Sequence, residues 1–285
     1  MRFLGRAALA AGLLAAYSLY EPYRFRLVTH RLKVESELPE IKILHISDLH
    51  LKGRDAKLAR FVTELRSLED IDLILATGDF IEDNSGIAPL IRSFSELKAR
   101  LGCFYVLGSH DYYQSQFTSW GKYFTGNKTS VTAKRAATTE LESGLMAYGW
   151  QSLSNSSVDI DAKWGRLRLT GLDDPYLNRH DPSVIQLDGD ETMAIGLVHS
   201  PEVVSEWFLA GFDLVVAGHT HGGQVRVPFY GALVTNSSLP TALAGGPHRI
   251  GNGWLHVSPG LGTGKFSPIR FNCLPQATLL ELVHS

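Results

Sequence analysis

Apolar runs in this chain stop repeatedly at aspartate and histidine. "SDLH" (47–50), "TGDF" (77–80) and "GSHD" (108–111) each close such a run, and two later runs end at His199 and at "GHTH" (218–221). This collects Asp48, His50, Asp79, His110, His199, His219 and His221. One histidine at a strand end reads most simply as punctuation. Five histidines with two aspartates at successive ends read as ligands. Carboxylate and imidazole without thiolate make a hard-to-borderline donor set, suited to Zn, Mn or Fe rather than an iron–sulfur cluster. On an extended segment residues i and i+2 point to one side, so Asp48 and His50 can grip the same ion. Six or seven ligands exceed the needs of one tetrahedral ion, whereas two ions sharing a bridging carboxylate would use them all. Sites of that kind clamp the attacking and leaving oxygens of phosphoryl transfer.

The elements that must position these residues follow from periodicity. "IKILHISDLHL" begins as a buried strand, and "RDAKLARFVTELRSL" carries Leu58, Phe61, Val62 and Leu65 at helical spacing. "IDLILATGD" is a second strand, "GIAPLIRSFSELKARLG" a second helix, and "CFYVLGSHD" a third strand. A β-α-β-α-β order argues for parallel strands with helices packed on the sheet. Ligands bind such sheets beyond the carboxyl ends of the strands, where these motifs lie. In the second half, "SVDIDAKWGRLRLTGL" alternates about a Lys-Trp-Gly turn as a hairpin would. "MAIGLVHS", "FDLVVAGHTH" and "WLHVSP" are further apolar runs, with helix-like "PEVVSEWFLAG" between the first two. The expectation is one layered α/β domain over residues 41–285, with a second, more antiparallel sheet packed on the first. Residues 21–40 lack sustained periodicity and read as a linker.

In order, D-x-H, G-D, G-N-H-[D/E], H and G-H-x-H form the signature of the calcineurin-like metallophosphoesterase superfamily. This chain resembles it through "DLH" (48–50), "GD" (78–79), "GSHD" (108–111), "VHS" around His199 and "GHTH" (218–221). The resemblance implies a two-sheet β-sandwich flanked by helices. It implies that Asp48, His50 and His221 hold one divalent ion, that Asp79 bridges, and that His199 and His219 hold a second. By the same resemblance His110 contacts the phosphate and can protonate the leaving group, with Asp111 placed to orient it. Ser109 departs from the pattern, standing where the family has an asparagine whose amide oxygen ligates the second ion. A weaker second site, or one completed by water, is the expectation there. "GHTHGGQVRVP" and "GLGTGKFSPIRFNC" resemble the membrane-associated branch of the family, which includes enzymes cleaving the pyrophosphate of UDP-2,3-diacylglucosamine.

Composition sets the remaining limits. The chain has 285 residues, 44% hydrophobic and 20% charged, as in ordinary folded proteins. A formal net charge of -2 makes no case for a nucleic-acid surface. Cys103 and Cys273 specify neither a disulfide framework nor a thiolate site, and buried free thiols are expected. The uncharged run Ala7–Tyr20, preceded by Arg2 and Arg6, admits a signal peptide, a membrane anchor or a buried helix. An anchor is the expectation, giving a membrane-associated protein whose orientation the flanking charges specify poorly, with a lean to the cytoplasmic face. "GLGTGK" lacks the Walker A pattern, because Pro259 and Phe266 occupy its outer positions. His45 points away from Asp48 along the first strand and reads as structural; Asp173 and Asp174 read as a turn, with support of the metal ligands from behind as the alternative. The aromatic stretch "YYQSQFTSWGKYFTGNKTS" could be a lid or a loop over the core. These readings converge on a dimetal phosphoesterase or pyrophosphatase acting on a lipid-linked or nucleotide-sugar phosphate. A phosphodiesterase of soluble nucleotides and a metal-binding scaffold with reduced catalysis remain the alternatives.

Overall fold

The structure is a computed structural model that describes residues 2–34, 40–115 and 134–284. Its elements run α1 (Arg2–Tyr20), β1 (Arg26–Val34), β2 (Ile41–Ile46), α2 (Ala56–Glu64), β3 (Leu73–Thr77), α3 (Ile87–Phe94) and β4 (Gly102–Val106). A single-turn helix α4 (Ser109–Tyr112) precedes α5 (Thr138–Met146), β5 (Trp150–Ser152), β6 (Ser156–Ala162) and β7 (Gly165–Gly171). Then come β8 (Met193–Leu197), α6 (Val204–Ala210), β9 (Leu214–Ala217), β10 (Arg226–Val227) and β11 (Gly231–Ala232). The chain finishes with β12 (Gly246–Ile250), β13 (Gly253–Val257) and β14 (Gln276–His284).

Two six-stranded sheets form the body, ordered β1-β14-β2-β3-β4-β5 and β12-β13-β9-β8-β7-β6. Strand alternation decides the layers. Leu44 and Ile46 of β2 turn toward Leu58 and Val62 of α2, Leu90 and Phe94 of α3, and Leu141 and Leu145 of α5. Ile41 and Ile43 turn the other way, onto Leu167, Leu169, Ile195, Leu197, Leu214 and Val216 of the second sheet. That sheet's outer face carries Ala194, Val215 and Leu255 against Val204 and Trp207 of α6. The result is helix, sheet, sheet, helix, as expected. Burying each such side chain contributes roughly 1.5–3 kcal/mol, so the inter-sheet layer is a major source of stability. The second sheet is antiparallel only at its edges, in the pairs β6–β7 and β12–β13; its centre, β7-β8-β9-β13, is parallel.

Two expectations are corrected at the N-terminus. Residues 21–40 are not simply a linker: β1 pairs in parallel with β14 from Arg26↔Gln276 to Val34↔His284. Leu32 and Val34 point inward while Arg31 and Lys33 stay outward, the charged outer face of an edge strand. Nor does α1 meet the requirement of a membrane anchor, since no helix among the described residues is long and apolar enough to cross a membrane. Arg2 and Arg6 leave an uncharged stretch of about 21 Å at 1.5 Å per residue, against a hydrocarbon core of about 30 Å. The helix instead ends on the domain. Ser18 O accepts from Arg270 N (3.0 Å), and the Tyr17 ring meets Phe271 edge-on. Just beyond it, the buried Glu21 carboxylate accepts from the amides of Asn272 and Cys273.

Candidate metal centre

The site lies where β2, β3, β4, β8 and β9 end. Asp48 and His50 follow β2, Asp79 follows β3, His110 follows β4, His199 follows β8, and His219 and His221 follow β9. Five of them have left-handed backbones: Asp48 (φ 49), His50 (φ 45), Asp79 (φ 51), His219 (φ 69) and His221 (φ 51). No other histidine among the described residues does so. Such a conformation costs on the order of 1–3 kcal/mol for a residue with a Cβ and persists only when its surroundings enforce it. Here adjacent loops are stitched together: Asp48 N donates to Gly78 O, His50 N to Asp79 O and Leu51 N to Phe80 O, each at 3.0 Å. Asp48 and His50 therefore converge through a left-handed loop, not through the extended pair assumed from spacing. Gly218 is required by proximity, since a Cβ there would overlap Ser47 Oγ and Asp48 Oδ2.

The histidine tautomers follow from their partners. His199 Nδ1 lies 2.7 Å from Thr77 O, which can only accept, so Nδ1 carries the proton. Its Nε2 is then bare in the neutral ring, buried without a hydrogen-bond partner, and 3.3 Å from Asp79 Oδ2. His50 Nδ1 donates to Glu82 Oε2 at 2.9 Å, leaving Nε2 3.1 Å from His221 Nε2 and 3.6 Å from Asp79 Oδ2. His219 Nε2 donates to Asn236 O (3.1 Å), which frees Nδ1. His221 Nε2 stands 3.5 Å from Asp48 Oδ1. Bare nitrogens and carboxylate oxygens thus crowd one another around Asp79, an arrangement that repels unless positive charge lies between them.

The titration behaviour reflects that crowding. Burial works against the charged imidazolium of His199, yet Asp79 and Asp48 hold its pKa well above the ordinary range. Burial likewise opposes the charge on His50, whose pKa is raised by Glu82, Asp79 and Asp48. His221 goes the other way, lowered by burial, by His50 and by Arg270. Protons would compete with a cation for the same atoms. Three groups lie within mutual ligand reach: Asp48 with His50 and His221, His50 with Asp79 and His110, and Asp48 with Asp79 and His199. The donor set fits hard-to-borderline divalent ions.

His110 lies at the mouth, its ring 4.6 Å from that of His50 and its side chain 27% exposed. Asp111 does not orient it. Its carboxylate is buried and accepts from the amides of Phe80 (2.9 Å), Ile81 (3.3 Å) and Gly108 (3.0 Å), tying the loop after β3 to the turn before α4. Burial and the nearby Asp79 push Asp111 up to about 7. The partner of His110 Nδ1 is Ser115 Oγ at 2.9 Å, while His110 N donates to Asp79 Oδ1 at 2.8 Å. Ser109 opens α4, and its hydroxyl hydrogen-bonds to none of the described residues. Residues 116–130 of the aromatic stretch, expected as a lid or as a loop over the core, lie outside the described residues.

Sequence reasoning missed two residues and undervalued a third. Glu82 reads as the start of a polar loop in "DFIED" but is buried, accepting from His50 and from Lys265 N (3.0 Å). Arg270 is fully buried and donates to Pro259 O, Gly260 O, Gly262 O and Cys273 O. It clamps the Gly-rich loop onto Asp48 and Leu49, and its Nη2 reaches 3.4 Å from His221 Nδ1. Asp174 is more than a turn residue: its Oδ2 is buried without a partner, and burial raises its pKa to about 6 against the pull of His199 and His219. Its only sequence signal was an acidic pair immediately after a strand.

Comparison with known proteins places the chain in a family. The chain is 30% identical to the uncharacterized metallophosphoesterase YkuE of Bacillus subtilis, over 96% of this chain and 93% of that protein. It is 27% identical to the UDP-2,3-diacylglucosamine pyrophosphatase LpxG of Chlamydia trachomatis, over 87% and 85% of the two chains. It is 26% identical to the phosphodiesterase YaeI of Escherichia coli, over 92% and 90%. The profile of the calcineurin-like phosphoesterases matches residues 41–223, which include every residue assigned to the site above except Lys265, Arg270 and Asn236. The chain belongs to the calcineurin-like phosphoesterase family and is a metal-dependent hydrolase.

Proposed function

We propose that the chain hydrolyses a phosphodiester or pyrophosphate bond of a lipid-linked or nucleotide-sugar substrate, using two divalent ions held around Asp79. The observation carrying this reading is the buried His199 Nε2, without a hydrogen-bond partner and 3.3 Å from Asp79 Oδ2, with His50 and His221 directing Nε2 atoms into the same space. Asp48, His50 and His221 would hold one ion, His199 and His219 the other, with Asp79 between them. Divalent ions there supply charge to the phosphoryl oxygens and bring the pKa of water toward 7. The protein supplies the rest. Glu82 and Thr77 O fix the rings of His50 and His199 so that only one nitrogen of each faces the site. Ser115 holds His110 by Nδ1, leaving Nε2 to hydrogen-bond the phosphate and protonate the departing oxygen. Ser109 offers the second ion a shorter, weaker donor than the family's asparagine, and water would complete that position. The substrate class rests on the likeness to LpxG.

The test is metal analysis of the purified protein with turnover of bis-p-nitrophenyl phosphate in added Mn²⁺. A panel of UDP-diacylglucosamine, phospholipids and cyclic nucleotides follows. Mn²⁺-dependent turnover with two ions per chain is expected, with UDP-diacylglucosamine the best substrate. A metal-bound protein with no turnover would make the chain a scaffold, and preference for cyclic nucleotides would discard the lipid-linked reading.

A further inference from the structure

A line of hydrogen bonds leaves Asp48 and crosses the body of the protein. Ser47 Oγ lies 2.6 Å from Asp48 Oδ2, Thr77 Oγ1 lies 2.8 Å from Ser47 Oγ, and His45 Nε2 lies 2.8 Å from Thr77 Oγ1. His45 Nδ1 then meets His256 Nδ1 at 2.8 Å. His45 belongs to β2 in the first sheet and His256 to β13 in the second, so the last link spans the layer between the sheets. All five residues are fully buried.

The proton positions follow by elimination from the carboxylate end. A carboxylate only accepts, so the Ser47 hydroxyl donates to Asp48; sending its proton to Thr77 O instead would leave two oxygens 2.6 Å apart with no proton between them. With the Ser47 proton committed, Thr77 must donate to Ser47. Thr77 therefore accepts from His45, which must carry its proton on Nε2. His45 Nδ1 is then bare, and His256 must donate from Nδ1. That leaves His256 Nε2 as a lone pair, in agreement with its having no hydrogen-bond partner. Burial lowers His45 to about 3 and, together with His45 and His30, lowers His256, so both rings are neutral as the chain requires. Every donor points toward Asp48. Aligned bonds of this kind polarise one another and strengthen the last donor.

His219 N reaches both Asp48 oxygens at 3.1 Å, and only Oδ2 also accepts from Ser47. We propose that His256, His45, Thr77 and Ser47 are positioning residues that saturate Asp48 Oδ2 from within the protein, so that the less occupied Oδ1, 3.5 Å from His221 Nε2, is the oxygen presented to the ion. This rests on Asp48 being a ligand. The site would thereby be registered against both sheets, not only against the loop that bears it.

The experiment measures the Mn²⁺ dissociation constant by chelator competition, without substrate. Thr77→Val keeps the shape and the carbonyl that orients His199 but removes the hydroxyl; it should weaken binding about 10- to 100-fold. Thr77→Ser should stay within about threefold of wild type. Ser47→Ala breaks the last link and should match Thr77→Val, and the double variant should lose no more than either alone, because a chain broken twice is still one broken chain. His256→Leu, which touches no ligand, should weaken binding several-fold. Unchanged affinity in Thr77→Val and Ser47→Ala, or losses that simply add, would overturn the proposal. Unchanged affinity in His256→Leu would overturn its extension to the second sheet. If the wild type binds no Mn²⁺, the reading of Asp48 as a ligand falls and the chain with it; if the wild type binds and the variants match it, the chain alone falls.

Discussion

Two clusters of acidic residues within mutual ligand reach stand among the described residues, and only one is buried and holds an atom without a hydrogen-bond partner. Asp188, Asp190 and Glu191 bring carboxylate oxygens within the same mutual reach as the groups around Asp79. Each already has a partner. Arg166 pairs with Asp190 (2.6 Å) and Asp188 (3.1 Å), and Arg168 pairs with Asp188 (2.8 Å) and Glu191 (3.6 Å). Both arginines also share Asp159, whose carboxyl is held below its ordinary range by hydrogen bonds from Arg168 and Arg166. Asp188 and Asp190 lie in the open, and none of these acids has a left-handed backbone. The cluster at Asp79 is buried and strained, and it contains a nitrogen with no partner. Ligand atoms that are merely close do not mark a site. A partnerless buried nitrogen set among ligands on strained backbone does, because folding has a reason to tolerate that combination only if something else arrives.

The largest test of that contrast is Asp79→Asn. His199 and His50 both face Oδ2 of this carboxylate, and the charge it would share between two ions disappears. Expected are loss of both ions after dialysis and a fall in turnover of about 1,000-fold or more, read by metal analysis and bis-p-nitrophenyl phosphate hydrolysis. Full activity would mean that Asp79 is not the shared ligand. His110→Ala separates catalysis from ligation within the same site. It should lower turnover about 100-fold with metal content nearly unchanged, because its assigned task is proton transfer at the mouth. Loss of both ions in this variant would make His110 a ligand.

What was readable beforehand divides along physical lines. The strand-end motifs and the β-α-β-α-β order stood out because period and punctuation are local. The hairpin β6–β7 was equally plain, since its alternation turns within a few residues, at Ala162↔Gly165. Strand β1 was hidden: only Leu32 and Val34, at its end, are buried, too short an alternation to stand out, and its partner β14 lies at the far end of the chain. Glu82 was hidden for a related reason, since only the paired loops after β2 and β3 bring it to His50. Asp111 was misassigned because adjacency to His110 suggests contact, whereas a helical turn sends successive side chains in different directions. His45 was read as structural, and nothing in its own strand reveals that its partner waits on the opposite sheet.

The smallest expected effect comes from the exposed cluster. In Asp188→Asn with Asp190→Asn, Arg166 keeps its 2.6 Å bond to Asp159, and Arg168 keeps both Asp159 and Glu191. The two removed charges have side chains 58% and 65% exposed, where water replaces most of what a guanidinium offers. The neighbouring arginines therefore remain neutralised, and no buried charge is stranded. The unfolding midpoint should stay within about 2 °C of wild type. Metal stoichiometry and turnover should be unchanged. The measurement is a thermal melt beside metal analysis of the same sample. Loss of a tightly held ion from this double variant would show that satisfied, exposed carboxylates can be a metal site here, and would remove partnering and burial as the features that separate the two clusters.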